Sequence, residues 1–246
     1  MTSPRLPLFP LNTVLFPGLV LPLNVFEERY RALMRDLSAL PEGAPRRFGV
    51  VAIRDGHEVA PSGAGMPDAT APPARGAAAG FGADPIRAFH TVGCVADAAT
   101  IRPREDGGFE ALATGTTRFR LLSVDSSGPY LTGEVADFPE QEGDGAGALA
   151  SGVLRAFRTY QKRLAGSRER TLAGQQELPE EPTVVSYLVA AATVLDTSVK
   201  QRLLQAPDTA SRLADELKLL RAETAVMGKL PSLPLVDPPQ QPTCPN

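Results

Sequence analysis

The residues of this chain that could carry out chemistry are few, and their spacing matches no catalytic pattern. Ser198 and Lys200 could form a nucleophilic dyad, but a spacing of two in a predicted helix points their side chains apart. Gly228-Lys229 is followed by Leu230 instead of Ser or Thr, and it lacks the upstream glycine of a phosphate-binding loop. We therefore predict no catalytic residue and no cofactor site.

The potential metal ligands are too few for a structural zinc site. His90 and Cys94 would share one face of a strand, whereas such sites usually recruit four nitrogen or sulfur ligands. The other histidine and cysteine, His57 and Cys244, lie in a loop-like segment and near the end of the sequence. We predict no metal site, no disulfide framework, and a role for Cys94 as a small buried hydrophobe.

The composition is that of a globular protein without a strong overall charge. The 246 residues are 43% hydrophobic, and 25 basic against 28 acidic residues give a net charge of −3. No global positive field therefore attracts nucleic acid or anionic lipid. The apolar stretch 6–30 contains four prolines that would break a helix, so we expect no membrane span. Without a targeting segment, the expected location is cytoplasmic.

The stretch 6–30 instead predicts short strands followed by a helix. Pro17-Gly18 suits a turn, because proline fixes φ and glycine allows a positive φ, and residues 19–23 form a second apolar strand. Asn24 and Glu27 have the spacing of a capping box at a helix start. The apolar stripe of that helix, at helical spacing, comprises Phe26, Tyr30, Leu33, Met34 and Leu37.

Strand patterns dominate the middle of the chain, apart from one interruption. Residues 55–86 are crowded with Gly, Pro and Ala, which is typical of disorder or of a functional loop, and we predict disorder. Asp106-Gly107-Gly108 is a hairpin signal. Strands this close together favour an antiparallel or mixed curled sheet. The predicted strands cover 47–54, 91–101, 109–113, 118–124 and 130–138.

The last third of the chain is helical in pattern. Residues 139–147 form an acidic, glycine-rich segment that we interpret as a domain boundary. Four amphipathic helices with short connections indicate a small bundle, followed by a proline-rich tail that should be extended and mobile. These helices are predicted over 148–164, over 181–195, from a cap at Asp196 or Thr197 to Pro207, and from Asp208 to a C-cap at Gly228.

Several motifs of the β-rich part occur together in one known family. Near the start they are Leu8-Phe9-Pro10-Leu11, Phe16-Pro17-Gly18, Leu21-Pro22-Leu23, and Phe26-Glu27 with Arg29-Tyr30; further on they are Val92-Gly93-Cys94-Val95-Ala96 and Gly115-Thr116-Thr117-Arg118-Phe119-Arg120. The chain resembles the Lon N-terminal domain, the substrate-binding module of the ATP-dependent Lon proteases, over most of residues 6–225. The resemblance implies a PUA-like β-barrel followed by helices, and it implies binding of unfolded or partner polypeptide.

Pattern and resemblance together predict an α+β fold, with a PUA-like β-barrel or curled sheet followed by a C-terminal helical bundle. We divide the chain into a β-rich domain (1–138), a helical domain (148–228) and a disordered proline-rich tail (229–246). The partner-binding residues and the oligomeric state stay open. The resemblance marks thirteen signature residues, which we expect to be mainly structural: Phe9, Pro10, Phe16, Pro17, Gly18, Pro22, Phe26, Glu27, Arg29, Tyr30, Gly93, Arg118 and Phe119.

Three charged signature residues, Glu27, Arg29 and Arg118, have two interpretations. In the first, Glu27 caps its own helix and both arginines lie on the surface with their aliphatic parts packed. In the second, Glu27 and Arg118 form a buried pair that fastens the first helix to the barrel.

Three functions compete. The leading one is a stand-alone, non-catalytic module that recognises polypeptide, for example as an adaptor in protein quality control, with its ligand in a groove between sheet and helices. The second is RNA binding, which PUA-like domains often serve, but the arginine clusters are few: Arg46-Arg47, Arg102 with Arg104, and Arg118 with Arg120. The third is an enzyme such as a peptidase, for which we find neither the ATPase nor the Ser/Lys peptidase module of Lon proteases.

Overall fold

The computed structural model describes residues 4–54, 76–165 and 179–229. These ranges contain six strands, five α-helices and a short 3-10 helix at Pro85–Ala88. The strands are β1 (Arg5–Leu11), β2 (Val20–Val25), β3 (Arg47–Ala52), β4 (Val92–Pro103), β5 (Phe109–Asp125) and β6 (Thr132–Asp137). The helices are α1 (Glu28–Ser38), α2 (Ala146–Ala165), α3 (Pro182–Ala192), α4 (Thr197–Leu204) and α5 (Thr209–Lys229).

All six strands belong to one mixed sheet in the order β2-β5-β4-β3-β1-β6. β1 and β3 are parallel, and the other pairings are antiparallel. β6 also pairs with β5, so the sheet curls until its hydrogen-bonded ring closes. Within the described residues, β2 pairs on one side alone, and this edge position suits Pro22, because proline cannot donate to a strand ladder.

The turn at Pro17-Gly18 is confirmed, and Gly18 has a φ of 80°. The strands on either side of this turn, β1 and β2, do not pair with each other, because each pairs with other strands of the sheet. β1 is a central strand with Leu8 and Phe9 both buried, as is usual for a strand in parallel pairing. β2 alternates between buried and exposed residues and pairs with β5 instead.

Helix α1 begins later than the predicted capping box. Its N-cap is Glu27, whose side chain makes no capping hydrogen bond, while Asn24 belongs to β2. The capping-box prediction is wrong because the ladder between β2 and β5 continues to Val25 and keeps Asn24 extended. Phe26 is 63% exposed and therefore lies outside the buried stripe. The remaining predicted members of the stripe are buried: Tyr30, Leu33, Met34 and Leu37.

The prediction of disorder for residues 55–86 is wrong for the part of this segment that the structure describes. Residues 55–75 lie outside the described residues, whereas 76–86 contain turns and the start of the 3-10 helix. Ala77 and Phe81 are buried and join Phe89 and Phe119 in a core cluster against the sheet. Disorder is therefore the wrong prediction for 76–86, because these apolar anchors outweigh the glycine-rich composition.

Strand β5 combines two predicted strands, 109–113 and 118–124, into one of 17 residues. The glycine between them, Gly115, interrupts the apolar pattern without ending the strand, because the chain needs a residue without a side chain there. A Cβ atom at Gly115 would collide with the carbonyl oxygen of Phe16. The predicted hairpin is confirmed, since Gly107 has a φ of 77° and lies between the paired strands β4 and β5.

The chain is thus mixed α+β, and helices α2 to α5 follow the predicted order. α2, α3 and α5 share a core cluster that includes Val153, Phe157, Val189 and Leu213. α5 continues through the predicted C-cap Gly228 and ends at Lys229, which is therefore helical. The rest of the predicted tail, 230–246, lies outside the described residues.

A further core cluster joins the helices to the sheet. Phe16 and Val92 pack there with Tyr187, Leu203 and Leu204. The division into domains 1–138 and 148–228 stays a prediction, and the two parts share this cluster of buried side chains.

Candidate functional site

A cleft lies where the sheet meets the helices. Its volume is about 340 Å³, near the lower end of the range of roughly 300–1,000 Å³ that is typical of ligand sites. The turn after β1, the middle of β5, the end of β6 and the start of α3 form its walls. The cleft is lined by Pro17, Gly18, Leu19, Thr116, Thr117, Arg118, Phe138, Pro139, Glu140, Thr183, Val184, Tyr187 and Leu188.

Two backbone hydrogen bonds hold the turn at 17–19 against β5. The amide of Gly18 donates to the carbonyl of Gly115 at 2.8 Å, and the amide of Gly115 donates to the carbonyl of Leu19 at 2.9 Å. The absence of a side chain at Gly115 permits this close approach of the two segments. Pro17 and Leu19 therefore face the cleft from a fixed position.

The start of α3 forms another wall. The Glu181 carboxylate accepts hydrogen bonds from the amides of Thr183 (3.1 Å) and Val184 (2.6 Å), which caps the first turn. Pro182 at the first helical position favours the same start, because it needs no amide donor there. Val184 is apolar yet 46% exposed. The local sequence thus fixes a helix start that leaves an apolar side chain open to the cleft.

Beneath the cleft, the carboxylate of Glu140 connects the sheet to α3 and α5. Nη2 of Arg118, on β5, lies 2.8 Å from one of its oxygens, and Nη2 of Arg212, on α5, lies 3.0 Å from both. The hydroxyls of Tyr187 and Thr209 also donate to this carboxylate, the second at 2.8 Å. The side chains of the two arginines are buried. We call these five residues the Glu140 cluster.

The two arginines use further N–H groups on backbone carbonyls near the end of α4. Nη1 of Arg118 donates to Leu204 (2.9 Å) and Ala206 (2.6 Å), and Nε of Arg212 donates to Leu203 (2.9 Å). Nε of Arg118 is a buried donor that has no partner among the described residues. Because the other donors of the cluster are satisfied internally, it holds the walls in place, and the apolar walls are the surface that a ligand can contact.

Burial shifts the pKa values of two members of the Glu140 cluster, Tyr187 and Arg118. Burial raises the pKa of Tyr187 above its ordinary value, although the charge of Arg212 opposes this, so the hydroxyl remains a donor toward Glu140. Burial also lowers the pKa of Arg118, but arginine stays protonated in proteins. Two buried arginine cations thus share the carboxylate of Glu140, whose side chain is 23% exposed.

Glu216 of α5 lies close enough to Arg212 to respond to its charge. It is 2% exposed, and neither of its oxygens has a hydrogen-bond partner among the described residues. Burial raises the pKa of Glu216 well above its ordinary value, and this outweighs the opposing effect of Arg212.

Both interpretations of the charged signature residues are wrong. Glu27 pairs with Arg29 at 2.7 Å, whereas Arg118 pairs with Glu140. Glu27 follows the last residue of β2, Val25, which pairs with Phe109 of β5. Arg118 lies nine residues beyond Phe109 in β5, and at the rise of a strand this corresponds to about 30 Å along the strand. Both arginines are buried, so neither is a surface residue.

Arg29 has its own structural role at the start of α1. Its Nη1 donates to the carbonyls of Ala77 (3.2 Å) and Ala79 (2.7 Å). Its guanidinium also lies over the rings of Tyr30 and Phe81, at 4.7 Å and 4.9 Å from their centres. Arg29 therefore anchors the segment that precedes the 3-10 helix.

The thirteen signature residues separate into two groups. Pro17, Gly18 and Arg118 line the cleft. The other ten lie outside the cleft: Phe9, Pro10, Phe16, Pro22, Phe26, Glu27, Arg29, Tyr30, Gly93 and Phe119. Most of these are buried, and a Cβ atom at Gly93 would lie 2.5 Å from a ring carbon of Phe119, whereas Pro22 and Phe26 are exposed. A mainly structural role for the signature residues stays a prediction.

Sequence reasoning missed most of the Glu140 cluster. Glu140 falls in the segment that we interpreted as a boundary, and Arg212 falls in the last predicted helix, for which we predicted no buried charge. A signal was present, because Arg212, Glu216 and Leu220 recur four residues apart and so share a face of α5. Charged residues on an apolar helix face indicate a buried polar group that needs a partner.

The described residues contain no group of three or more His, Cys, Asp or Glu side chains that could hold a metal ion. Cys94 is buried, as predicted, and burial raises the pKa of its thiol to about 12. Lys200 donates to the carbonyl of Ala191 at 3.0 Å. No helix in the described part of the chain combines the length and the apolar character that crossing a membrane requires.

Comparison with known proteins identifies one family. The family model of the ATP-dependent protease La (LON) substrate-binding domain matches residues 5–222. Lon protease 2 of Syntrophobacter fumaroxidans is 26% identical over 217 residues, which are 85% of this chain and 23% of that protein. Lon protease of Flavobacterium johnsoniae is 28% identical over 140 residues, which are 56% of this chain and 14% of that protein. The chain thus spans less than a quarter of the length of either protease.

Solved structures show the same fold. The Lon N-terminal domain protein from Xanthomonas campestris has a TM-score of 0.54 at 23% identity, covering 87% of this chain and 98% of that one. The N-terminal domain of Mycobacterium avium complex Lon protease has a TM-score of 0.56 at 18% identity, covering 90% and 98%. These matches confirm the mixed α+β fold and the resemblance seen in the sequence motifs. The chain belongs to the Lon substrate-binding domain family.

Proposed function

We propose that this chain is a non-catalytic module that binds unfolded or partner polypeptide, and that the cleft between sheet and helices receives side chains of that polypeptide. The observation that carries the proposal is the cleft itself, whose walls come from both parts of the molecule and stand on the Glu140 cluster. A site held by buried contacts needs little ordering when a ligand arrives, which favours binding.

The chemistry of the walls suits polypeptide. Leu19, Val184 and Leu188 offer apolar contacts to a side chain, and the exposed Thr117 offers a hydroxyl to a peptide backbone. Membership in a family defined by substrate binding supports the same ligand class, and the ring of pairings through β6 supports a PUA-like assignment. A cytoplasmic location and an adaptor role in protein quality control belong to this proposal.

RNA binding is the alternative, and the charges of the sheet side argue against it. Arg118 is buried, so it offers no contact to a phosphate. Arg47 lies 3.6 Å from Asp97, and Arg104 lies 3.0 Å from Glu110. A surface that tracks phosphates needs several free cations, and these arginines already have anionic partners.

The proposal is tested by replacing one exposed valine in the cleft and one outside it. The probe is reduced and carboxamidomethylated lysozyme, a basic unfolded polypeptide, labelled for fluorescence anisotropy. Val184→Asp places a charge in the apolar cleft, and its position in the first turn of α3 makes an acidic residue compatible with the helix dipole. We expect about a tenfold loss of affinity, since a buried charge without a partner is costly.

Val194→Asp is the matched control, because Val194 is 70% exposed and lies outside the cleft. It should bind the probe as the unmodified protein does, and no variant should cleave it on a gel. Equal affinity of all three proteins would contradict the proposed site. Cleavage of the probe, or saturable binding of labelled RNA that weakens with salt, would contradict the proposed function.

A further inference from the structure

A second concave surface lies between α2 and α5, away from the cleft. It is a groove of about 600 Å³. Gly152 and Ala156 of α2 keep it open because their side chains are small or absent. Leu217 and Ala225 of α5 contribute apolar surface, and the buried Leu220 lies beneath them. A Cβ atom at Gly152 would make an ordinary contact with Leu217 at 3.7 Å, so this position tolerates an alanine without a clash.

Three arginines give this groove a positive charge. Arg155 and Arg163 of α2 and Arg221 of α5 line it, and none of the described residues that line it is acidic. All three are exposed, and their guanidinium groups have no ion pair or hydrogen-bond partner in the described part of the chain. This local excess of cations occurs in a chain whose net charge is −3.

The spacing of two of these arginines along α2 suits the binding of carboxylates on a second helix. Arg155 and Arg163 are eight residues apart on α2, which corresponds to about 12 Å and roughly two turns. Two carboxylates that are seven or eight residues apart on a bound helix would match this distance. Arginine also binds carboxylates in a bidentate manner, which fixes their orientation.

We propose that the groove between α2 and α5 docks an acidic amphipathic helix of a partner polypeptide. The carboxylates of that helix pair with Arg155, Arg163 and Arg221, and its apolar face packs on Leu217 and Ala225. A helix fits these observations better than a nucleic acid, because the described residues that line the groove offer apolar contacts and include no aromatic side chain on which a base could stack. The proposal does not depend on the cleft, which is a separate surface.

The test uses the full chain and a labelled synthetic peptide of eighteen residues. The peptide carries leucines on one helical face and glutamates beside them at a spacing of seven, and a second peptide has lysine in place of each glutamate. We expect saturable binding of the glutamate peptide by fluorescence anisotropy, and weaker binding at higher salt. We expect no binding of the lysine peptide.

The charge reversals Arg155→Glu and Arg163→Glu, combined in one protein, should weaken binding of the glutamate peptide about tenfold or more. The matched control combines Arg158→Glu and Lys162→Glu, which reverse two exposed charges of α2 outside the groove. The control should bind the peptide within about twofold of the unmodified protein. Both proteins should retain binding of unfolded lysozyme, which separates a failure of this proposal from a failure of the cleft.

A steric pair of variants adds an independent test. Gly152→Leu should fill the groove and abolish binding of the peptide, whereas Gly152→Ala should preserve it. Absence of peptide binding by the unmodified protein would overturn the proposal. That result is also the one expected if another segment of the chain or a second copy of it filled the groove. Equal binding of the lysine peptide, equal loss in the Arg158→Glu control, or RNA binding that the Arg155→Glu variant abolishes would overturn it as well.

Discussion

The cleft and the groove between α2 and α5 place their arginines in opposite environments. In the cleft, Arg118 is buried and donates to Glu140 and to backbone carbonyls. In the groove between α2 and α5, Arg155 and Arg163 are exposed and have no partner among the described residues. The comparison teaches that an arginine serves the scaffold when the protein satisfies its donors, and is available to a ligand when the protein does not.

The largest effect on the free energy of unfolding should come from removing the carboxylate of Glu140, which is the centre of the cluster beneath the cleft. Glu140→Ala would leave Arg118 and Arg212 buried side by side without an anion. We expect the free energy of unfolding to fall by about 3–5 kcal/mol, as for other buried pairs that lose one partner. Urea denaturation monitored by circular dichroism measures this change.

Glu142→Ala is the control for that experiment, because Glu142 is exposed in the same segment. It should change the free energy of unfolding by less than about 0.5 kcal/mol. If Glu140→Ala were equally mild, the Glu140 cluster would not hold the cleft, and the contrast between the two surfaces would disappear.

A smaller loss of the free energy of unfolding is expected from Arg212→Met, because methionine retains much of the side-chain volume of arginine. The remaining pair of Glu140 and Arg118 is balanced in charge, but Ser186 and the carbonyl of Leu203 lose a donor. We expect a loss of about 1–3 kcal/mol, which is less than for Glu140→Ala. The same denaturation measurement applies, and a loss larger than that of Glu140→Ala would show that the cluster depends on the second cation more than on the carboxylate.

Glu216 should make stability depend on pH, because burial raises its pKa well above the ordinary value of 4.5. As the pH rises above about 4.5, the unfolded chain releases this proton while the folded protein keeps it. The free energy of unfolding therefore falls with rising pH until the folded pKa is passed.

Glu216→Gln should remove this part of the pH dependence. The variant should be more stable than the unmodified protein at pH 8, and the difference should shrink toward pH 5. Thermal unfolding at both pH values checks this, and parallel pH profiles of the two proteins would show that Glu216 is not the group responsible.

The smallest effect on the free energy of unfolding should come from removing an arginine of the groove between α2 and α5. Arg155→Ala removes a guanidinium that has no partner among the described residues, so the free energy of unfolding should change by less than about 0.5 kcal/mol. Differential scanning calorimetry of this variant beside Arg212→Met compares the two environments directly. A large loss for Arg155→Ala would mean that this arginine also belongs to the scaffold.

The sequence predicted the elements well wherever local signals were sufficient. The turn at Pro17-Gly18, the hairpin at Gly107 and the order of the helices all depend on neighbouring residues. The second interpretation of the charged signature residues, a pair of Glu27 with Arg118, is wrong because it depended on the register of β5, which motif order does not reveal. Likewise, three of the thirteen signature residues line the cleft, whereas the contribution of α3 and α5 depends on how the helices pack.

The segment 139–147 shows the same limit in another way. Its acidic and glycine-rich composition indicates a boundary, and the chain does pass there from β6 to α2. Glu140 is nevertheless a central contact, because two arginines distant in sequence converge on it. Composition describes a segment on average and cannot identify the single residue whose partners come from elsewhere in the fold.

The most direct test of the account is a photocrosslinking experiment in the cleft. Val184 and, in a separate protein, Val194 are replaced by benzoylphenylalanine, and each protein is irradiated with unfolded lysozyme. We predict that position 184 forms a covalent adduct with lysozyme and that position 194, which is more exposed but outside the cleft, does not. Equal adducts at both positions, or none at position 184, would contradict binding of polypeptide in the cleft.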